Sequence, residues 1–544
     1  MRISRRRFHV KNFHHPNQGL LHDEVWECMC PALRERCKNG WAALFRNTVL
    51  HELPAERLAE GKSDDHGRPT VGLYTISGLL LMQQMFDWTF DQTEEAFLAR
   101  LDVRWALRQT LGTSISKKTI QRYHKVLQGD EGSCDEVFEN VTSTLLKKLD
   151  ISVQSQRLDS THVLSDMAVI GRSMLFRRTI TKLLRLIEKV DIAVYGTIPE
   201  ELRNRYIGSD GKGVFGRKQS GEERQQFTEQ AARDMHLLVK QFADHEVISK
   251  SRQYLLLRTV FSQQCEVVED VPAIRKNPGG NTIQNPSDPD ATYSGNKGVG
   301  YKVHLTETMN ETGEPNFVTS VTMAPACEND SLAFESILEK LEDKGRLPEV
   351  LPADAGYGSD ENVERAASKG IELVSPVPGG KQYDPAEISY DQFQLNEDNT
   401  VCKCPAGHAP KSSTFHADRG QVWAQMDPAL CQSCPLLAYC GVQRNKSTKQ
   451  PNGRIDFRLK AIRCAKRRCF EQTEEFRKKY RLRAGIESLN SALKRRMGLK
   501  RLRGRGQKAM RHAVTMKLAG WNILRAVEVC NYRKKMERKA RVSG

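Results

Sequence analysis

Residues Tyr480–Lys494 read YRLRAGIESLNSALK. Tyr480, Arg483, Glu487 and Lys494 are spaced as residues on one face of a helix. At about 100° per residue, the four side chains fall within roughly a 60° arc. Leu482, Ile486, Leu489, Leu493 and Met497 occupy a neighbouring arc and form the natural core face. The spacing therefore predicts a helix that holds one acid, two cations and a phenol rigidly on its polar side. A lone carboxylate among basic groups suits a metal ion beside a phosphate backbone. A solvated amphipathic helix with i,i+4 ion pairs has the same pattern, so residues elsewhere must decide.

Upstream, the period of the sequence changes repeatedly. ISVQSQRLDSTHV reads as a strand with Asp159 near its end, followed by a helical stretch from Arg172 to about Cys265. KNPGGNTIQNPSDPDATYSGNKG is loop by composition. GYKVHLTET alternates Tyr301, Val303 and Leu305 with Lys302, His304 and Thr306, which predicts a half-buried strand. NFVTSVTMAP is a second strand, with Gly313 suited to the intervening hairpin turn. A helix from Asp330 or Ser331 to Leu341, a short strand ending in Asp354, a helix over 360–369 and the strand GIELVSPV follow. This order predicts an α/β fold whose first strands are antiparallel and later ones parallel.

In such sheets, sites form outside the carboxyl ends of strands. Asp159 and Asp354 can meet there with Glu487 from the later helix. Three carboxylates without a local His or Cys make a hard oxygen site, which favours Mg²⁺ or Mn²⁺ over zinc. Two such ions can activate an attacking oxygen and stabilise a departing one in phosphodiester transfer. His162, Asp166 and His304 lie near these residues in sequence and are read as structural or supporting.

The chain has 544 residues and a formal net charge of +17, with 39% hydrophobic and 28% charged residues. Its length predicts two to four domains. No apolar run approaches the ~20 residues of a membrane span, and the basic N-terminus lacks a secretory apolar core. A soluble, cytoplasmic protein without membrane partners is expected. From Gly441 to Gly544 there are 32 Lys+Arg against 7 Asp+Glu, a net of +25, so the preceding 440 residues are net −8. This asymmetry predicts a local polyanion-binding surface, with nucleic acid as partner. The run KRRMGLKRLRGRGQKAMR supplies Lys494, Arg495, Arg496, Lys500, Arg501 and Arg503 as phosphate-neutralising residues. RKKMERKARVSG is expected to be mobile.

Five of the 14 cysteines cluster at Cys402, Cys404, Cys431, Cys434 and Cys440. Their spacing is that of a zinc ribbon, with Cys404, Cys431, Cys434 and Cys440 as the preferred structural Zn²⁺ ligands. Cys402 or His408 could substitute, and a set of free buried thiols is the alternative. Near the N-terminus, Asp91 and Glu94 have capping-box spacing. Ser116 could cap the helix SKKTIQRYHKVL, whose Lys117, Lys118 and Arg122 could read DNA as in a helix-turn-helix.

These motifs resemble those of bacterial insertion-sequence transposases with a DDE catalytic domain. The helix carries that family's tyrosine–arginine–glutamate–lysine signature at its spacing. LDSTHV around Asp159 and PADAGYGSDENV around Asp354 are similar to its two aspartate motifs, and DPDATYSGNKGVGYKVHLTET to its second strand. GRP at 67–69, followed by the helical segment, resembles the N-terminal domain found on many of these enzymes.

The resemblance implies an RNase H-like mixed sheet with flanking helices, in which Asp159, Asp354 and Glu487 bind metal. Tyr480, Arg483 and Lys494 would contact phosphate and DNA. The implied reaction is cleavage at element ends followed by attack of the 3′-hydroxyl on target DNA, by a homo-oligomer at the nucleoid. Residues 1–150 are then an all-helical DNA-binding or assembly domain, and 151–171, 291–376 and 471–530 the catalytic core. Residues 172–290 form a helical insert and loop, 377–470 a Cys-rich insert and 531–544 a basic tail. The alternatives are a non-catalytic DNA-binding protein derived from a transposase, and a nuclease of the same fold that cuts without joining.

Overall fold

The computed structural model describes residues 23–59, 70–130, 132–207, 220–310, 313–379 and 388–543. The GRP motif lies outside the described residues. The central strands are β1 (Gln156–Val163), β2 (Gly298–Thr308), β3 (Val318–Pro325), β4 (Val350–Pro352) and β5 (Glu372–Val374). β2 pairs antiparallel with both β1 and β3, while β4 and β5 are parallel. Parallel bridges Ser155–Val350 and Leu158–Ala353 join β1 to β4. The strand order is therefore β3–β2–β1–β4–β5, antiparallel first and parallel after. Helix α1 (Asp330–Asp343) crosses from β3 to β4, and α2 (Asp360–Ser368) from β4 to β5. Gly313, at φ +77°, lies between β2 and β3.

Both faces of this sheet are covered. Leu158, Leu351, Phe334 and Ile337 form a core on the α1 side. Val163, Val303 and Leu305 join Ile486, Leu489 and Leu493 in a second core on the other side. β2 is consequently buried on both faces rather than half-buried. Two of its polar residues find partners inside: Thr306 bonds to Thr319 at 2.7 Å, and Glu307 pairs with Arg157.

The larger core also contains the N-terminal helices Leu73–Met85, Phe90–Ala99, Lys117–Gly129 and Ser133–Lys148. Leu73–Met85 is buried almost all round because the long helix α4 (Gln507–Ser543) packs against it. Gly520 makes that approach possible: a Cβ there would lie 2.6 Å from Met85 Cβ. The tail expected to be mobile instead continues α4. Arg533 pairs with Glu314 at 2.5 Å, and Lys534 donates to Asn39 at 3.0 Å.

The insert after β1 is helical, with Arg172–Val190, Gly221–Gln241 and Arg252–Gln264 around a core of their own. The Cys-rich region builds a three-stranded sheet, Ser412–His416, Gln421–Gln425 and Arg454–Arg458, over another small core.

Three local expectations are corrected. Helix Phe90–Ala99 is capped by Thr89 with Gln92, not by Asp91 with Glu94. Those two acids face the helix Lys117–Gly129: Asp91 pairs with the Lys117 ammonium at 2.6 Å, and Glu94 accepts from the Lys117 N–H at 2.9 Å. Asp159 lies within β1 rather than at its end. It sits near an end of the parallel pairing, because Leu158 makes the last bridge to the β4 side. Finally, the signature segment is not one helix. Glu474–Arg481 gives way to a 3₁₀ turn, Leu482–Ala484, before α3 (Gly485–Arg496). At that break, the Leu482 carbonyl accepts from Arg157 at 3.2 Å.

Candidate active site

Asp159 projects from β1 toward α3, where Asn490 donates to its Oδ2 at 3.2 Å. Its side chain is 11% exposed. Burial holds its carboxyl above the ordinary range, with Asp354 also raising it and Arg483 opposing. Asp354 follows β4 and accepts from the Gly356 N–H at 2.9 Å, capping the turn Ala355–Tyr357. Its carboxyl is also held up, first by burial and then by Asp330. Two aspartates remote in sequence thus share one neighbourhood, as their positions on adjacent strands require.

Arg483 links this pair to the third acid. Its guanidinium is 3.8 Å from Asp159 Oδ1 and 3.7 Å from Glu487 Oε1. Its positive charge also acts on Asp354. Glu487 itself is 71% exposed. The structure therefore brings Asp159 and Asp354 together and places Glu487 across Arg483 from Asp159. Among the described residues, no three His, Cys, Asp or Glu side chains form a ready ligand set for a metal ion. The donor chemistry nevertheless suits Mg²⁺ or Mn²⁺, since hard carboxylate oxygens dominate.

The signature companions line the same approach. Tyr480 stacks on Phe476 at 5.4 Å, and the Arg483 guanidinium lies 6.0 Å from the Tyr480 ring. Burial lowers the Lys494 pKa, Lys297 lowers it further, and Asp159 opposes them. Lys297 belongs to the tight turn preceding β2, and its charge reaches both Asp159 and Asp354. Sequence reasoning missed Lys297 and Asn490. Asn490 was legible, because it lies three residues after Glu487 on the same helix face.

The arginine-rich run is a ladder as well as a charged surface. Leu164 donates to the Lys500 carbonyl, Leu502 donates to the Leu164 carbonyl, and Asp166 donates to the Gly504 carbonyl. This fixes the run beside the end of β1. Arg501 donates to the Met167 carbonyl at 3.0 Å, and Arg503 pairs with Asp87 at 2.9 Å. Arg495, Arg496 and Lys500 remain exposed. On the Lys117–Gly129 helix, capped by Ser116 as expected, Lys118 and Arg122 are exposed. Lys117 is held by Asp91.

Cys404, Cys431, Cys434 and Cys440 border one pocket together with His408, and Cys402 is not among its lining residues. Burial raises the Cys431 and Cys440 thiols, and neighbouring cysteines raise them further. Mutual repulsion between developing thiolates is the electrostatic condition that a bound cation relieves.

Residues 403–527 match the family model of the transposase DDE domain. That segment of the chain is similar to a transposase DDE domain. The match covers the Cys-rich region from Lys403 onward, the Glu487 helix and residues 507–527 of α4. Asp159 and Asp354 precede the matched residues and are linked to them through Arg483. No curated protein and no solved structure matches the chain.

Proposed function

We propose that this protein is a DNA transposase that cuts at the ends of an insertion sequence and joins them to target DNA. One observation carries this reading: Asp159 and Asp354 converge around Arg483, beside Glu487 of the matched DDE domain. The strand order, with two parallel strands following three antiparallel ones, supports an RNase H-like core. The domain boundaries expected from the sequence belong to the same proposal.

Asp159, Asp354 and Glu487 are the proposed holders of two Mg²⁺ or Mn²⁺ ions. Such ions, when bound, polarise the scissile phosphate and promote ionisation of the attacking hydroxyl. Arg483 is the movable residue in this arrangement, since it now neutralises the acids. Contact with a DNA phosphate gives its guanidinium an alternative partner and frees Glu487. Tyr480 supports Arg483 from beneath. Lys494, Arg495, Arg496, Lys500, Arg501 and Arg503 offset phosphate charge along the strand leading away from the site. Lys117, Lys118 and Arg122 are assigned to the element end, with Lys117 also anchoring its helix. Zn²⁺ at Cys404, Cys431, Cys434 and Cys440 is proposed as structural.

The chemistry conserves bonds. Water first adds to phosphorus, releasing a 3′-hydroxyl. That hydroxyl then attacks a target phosphodiester and expels the target strand's own 3′-hydroxyl. No oxidant or nucleotide is consumed. A homo-oligomer on double-stranded DNA, acting in the cytoplasm at the nucleoid, completes the proposal.

The test is strand transfer with a pre-cleaved duplex carrying the element's own end and a labelled target plasmid. Metal-dependent joining supports the assignment. Target cutting without joining favours a nuclease, and end binding without either reaction favours a DNA-binding derivative.

A further inference from the structure

Asp330 opens α1 on the opposite face of β1 from Asp159. Adjacent residues alternate faces, and Ser160, unlike Asp159, reaches toward α1. The Ser160 hydroxyl donates to Asp330 Oδ2 at 3.2 Å, and the Lys302 ammonium lies 2.7 Å from Oδ1. Asp330 is 16% exposed, so this carboxylate is largely withdrawn from water.

Its relation to Asp354 is close and specific. A Cβ on Gly356 would lie 3.0 Å from Asp354 Oδ1 and 3.2 Å from Asp330 Oδ2. The two carboxylates therefore border one space, kept open by the missing side chain of Gly356. A second feature marks the same neighbourhood as incompletely satisfied. His304, paired in register with Ser160 and 1% exposed, bonds through Nδ1 to Tyr357 Oη at 2.5 Å, while its Nε2 has no partner.

We propose that Asp330 is a positioning residue of the proposed metal centre, a fourth carboxylate that draws a divalent cation to Asp354. This rests on the transposase reading above. Lys302 is its resident counter-cation. Two withdrawn carboxylates at one space repel each other; Lys302 offsets Asp330, while the Arg483 and Lys297 charges only partly offset Asp354, whose carboxyl stays raised. A divalent ion at Asp354 relieves the remaining repulsion, so Lys302 and the metal compete electrostatically for Asp330.

The competition gives opposite signs to two substitutions that break the same ion pair. The full-length protein is titrated with Mn²⁺, and bound ion is read by electron paramagnetic resonance, counting only binding that Asp354→Asn abolishes. Asp330→Asn is expected to weaken that binding about tenfold to a hundredfold, the usual reach of outer residues on a metal site. Lys302→Met, which leaves Asp330 in place, is expected to tighten it. Unchanged affinity in a folded Asp330→Asn protein, or weakening in Lys302→Met, overturns the role of Asp330. If Asp330→Asn does not fold, the Lys302→Met titration alone decides. Absence of Asp354-dependent Mn²⁺ binding in the wild type overturns the metal-centre reading itself, and this inference with it.

Discussion

Asp354 pays for its position in stability. Its carboxyl is held above the ordinary range by burial and Asp330, so ionisation is harder in the folded chain than in the unfolded one. A carboxyl with a raised folded pKa contributes its full stability below the unfolded value. That contribution is lost as pH rises through the folded value. At neutral pH without metal, the ionised Asp354 is therefore a net cost. Asp354→Asn keeps a cap for the Gly356 N–H and is expected to raise the metal-free melting temperature by about 1 °C. The advantage should vanish below the ordinary carboxylate range. Thermal unfolding in EDTA across that interval checks it, and a wild type more stable than the variant at neutral pH contradicts it. Asp159 and Asp354 were legible individually, each beside a strand pattern. Asp330 read only as a helix start, because nothing local in sequence announces that Ser160 and Gly356 border it.

The elements show where helical spacing succeeds and where it stops. Ile486, Leu489 and Leu493 are buried as their periodicity requires. The break at Leu482–Ala484 was not legible, because its supporting contacts come from remote strands. Arg157 on β1 donates to the Leu482 carbonyl and pairs with Glu307 on β2 at 2.5 Å, and both partners are nearly buried. A Cβ on Gly485 would collide with that guanidinium. Arg157→Met leaves Glu307 buried and unpaired, at an expected cost of about 3–5 kcal/mol. Arg157→Met combined with Glu307→Leu should recover much of this. Denaturant unfolding measures both, and a single-variant cost below about 1 kcal/mol removes the pair from the account. The Cys-rich element carries its own prediction. The purified chain should hold about one zinc, and Cys434→Ser should lose it together with heat stability. Elemental analysis with a melting curve tests this; a metal-free chain of unchanged stability favours free thiols.

At the scale of the whole molecule, one core joins the N-terminal helices, one face of the central sheet and α4. Sequence periodicity identified most of these elements but not their union, which depends on Gly520 letting α4 meet Leu73–Met85. The charge asymmetry was plain in composition. What composition could not supply was which cations are already engaged. Arg503 and Lys517 both pair with Asp87, whereas Arg495, Arg496 and Lys500 face solvent without ion pairs among the described residues. Replacing these three with Ala should lower the slope of log affinity against log salt by about 0.9 per lost phosphate contact. The same replacement of Arg503 should act partly through stability. Fluorescence anisotropy with a DNA duplex over a salt series separates the two, and an unchanged slope in the triple variant removes that surface from the DNA path.

Asp159, Asp354 and Glu487 are proposed to act together on DNA. A supercoiled plasmid carrying the gene with its native flanks, incubated with the purified chain and Mg²⁺ or EDTA, tests this most directly. Wild type is compared with Asp354→Ala and Glu487→Ala, and products are mapped by sequencing. The expected result is Mg²⁺-dependent cutting at the element ends with joined products, both lost in either variant. Cutting that survives either substitution means that the chemistry lies elsewhere in the chain.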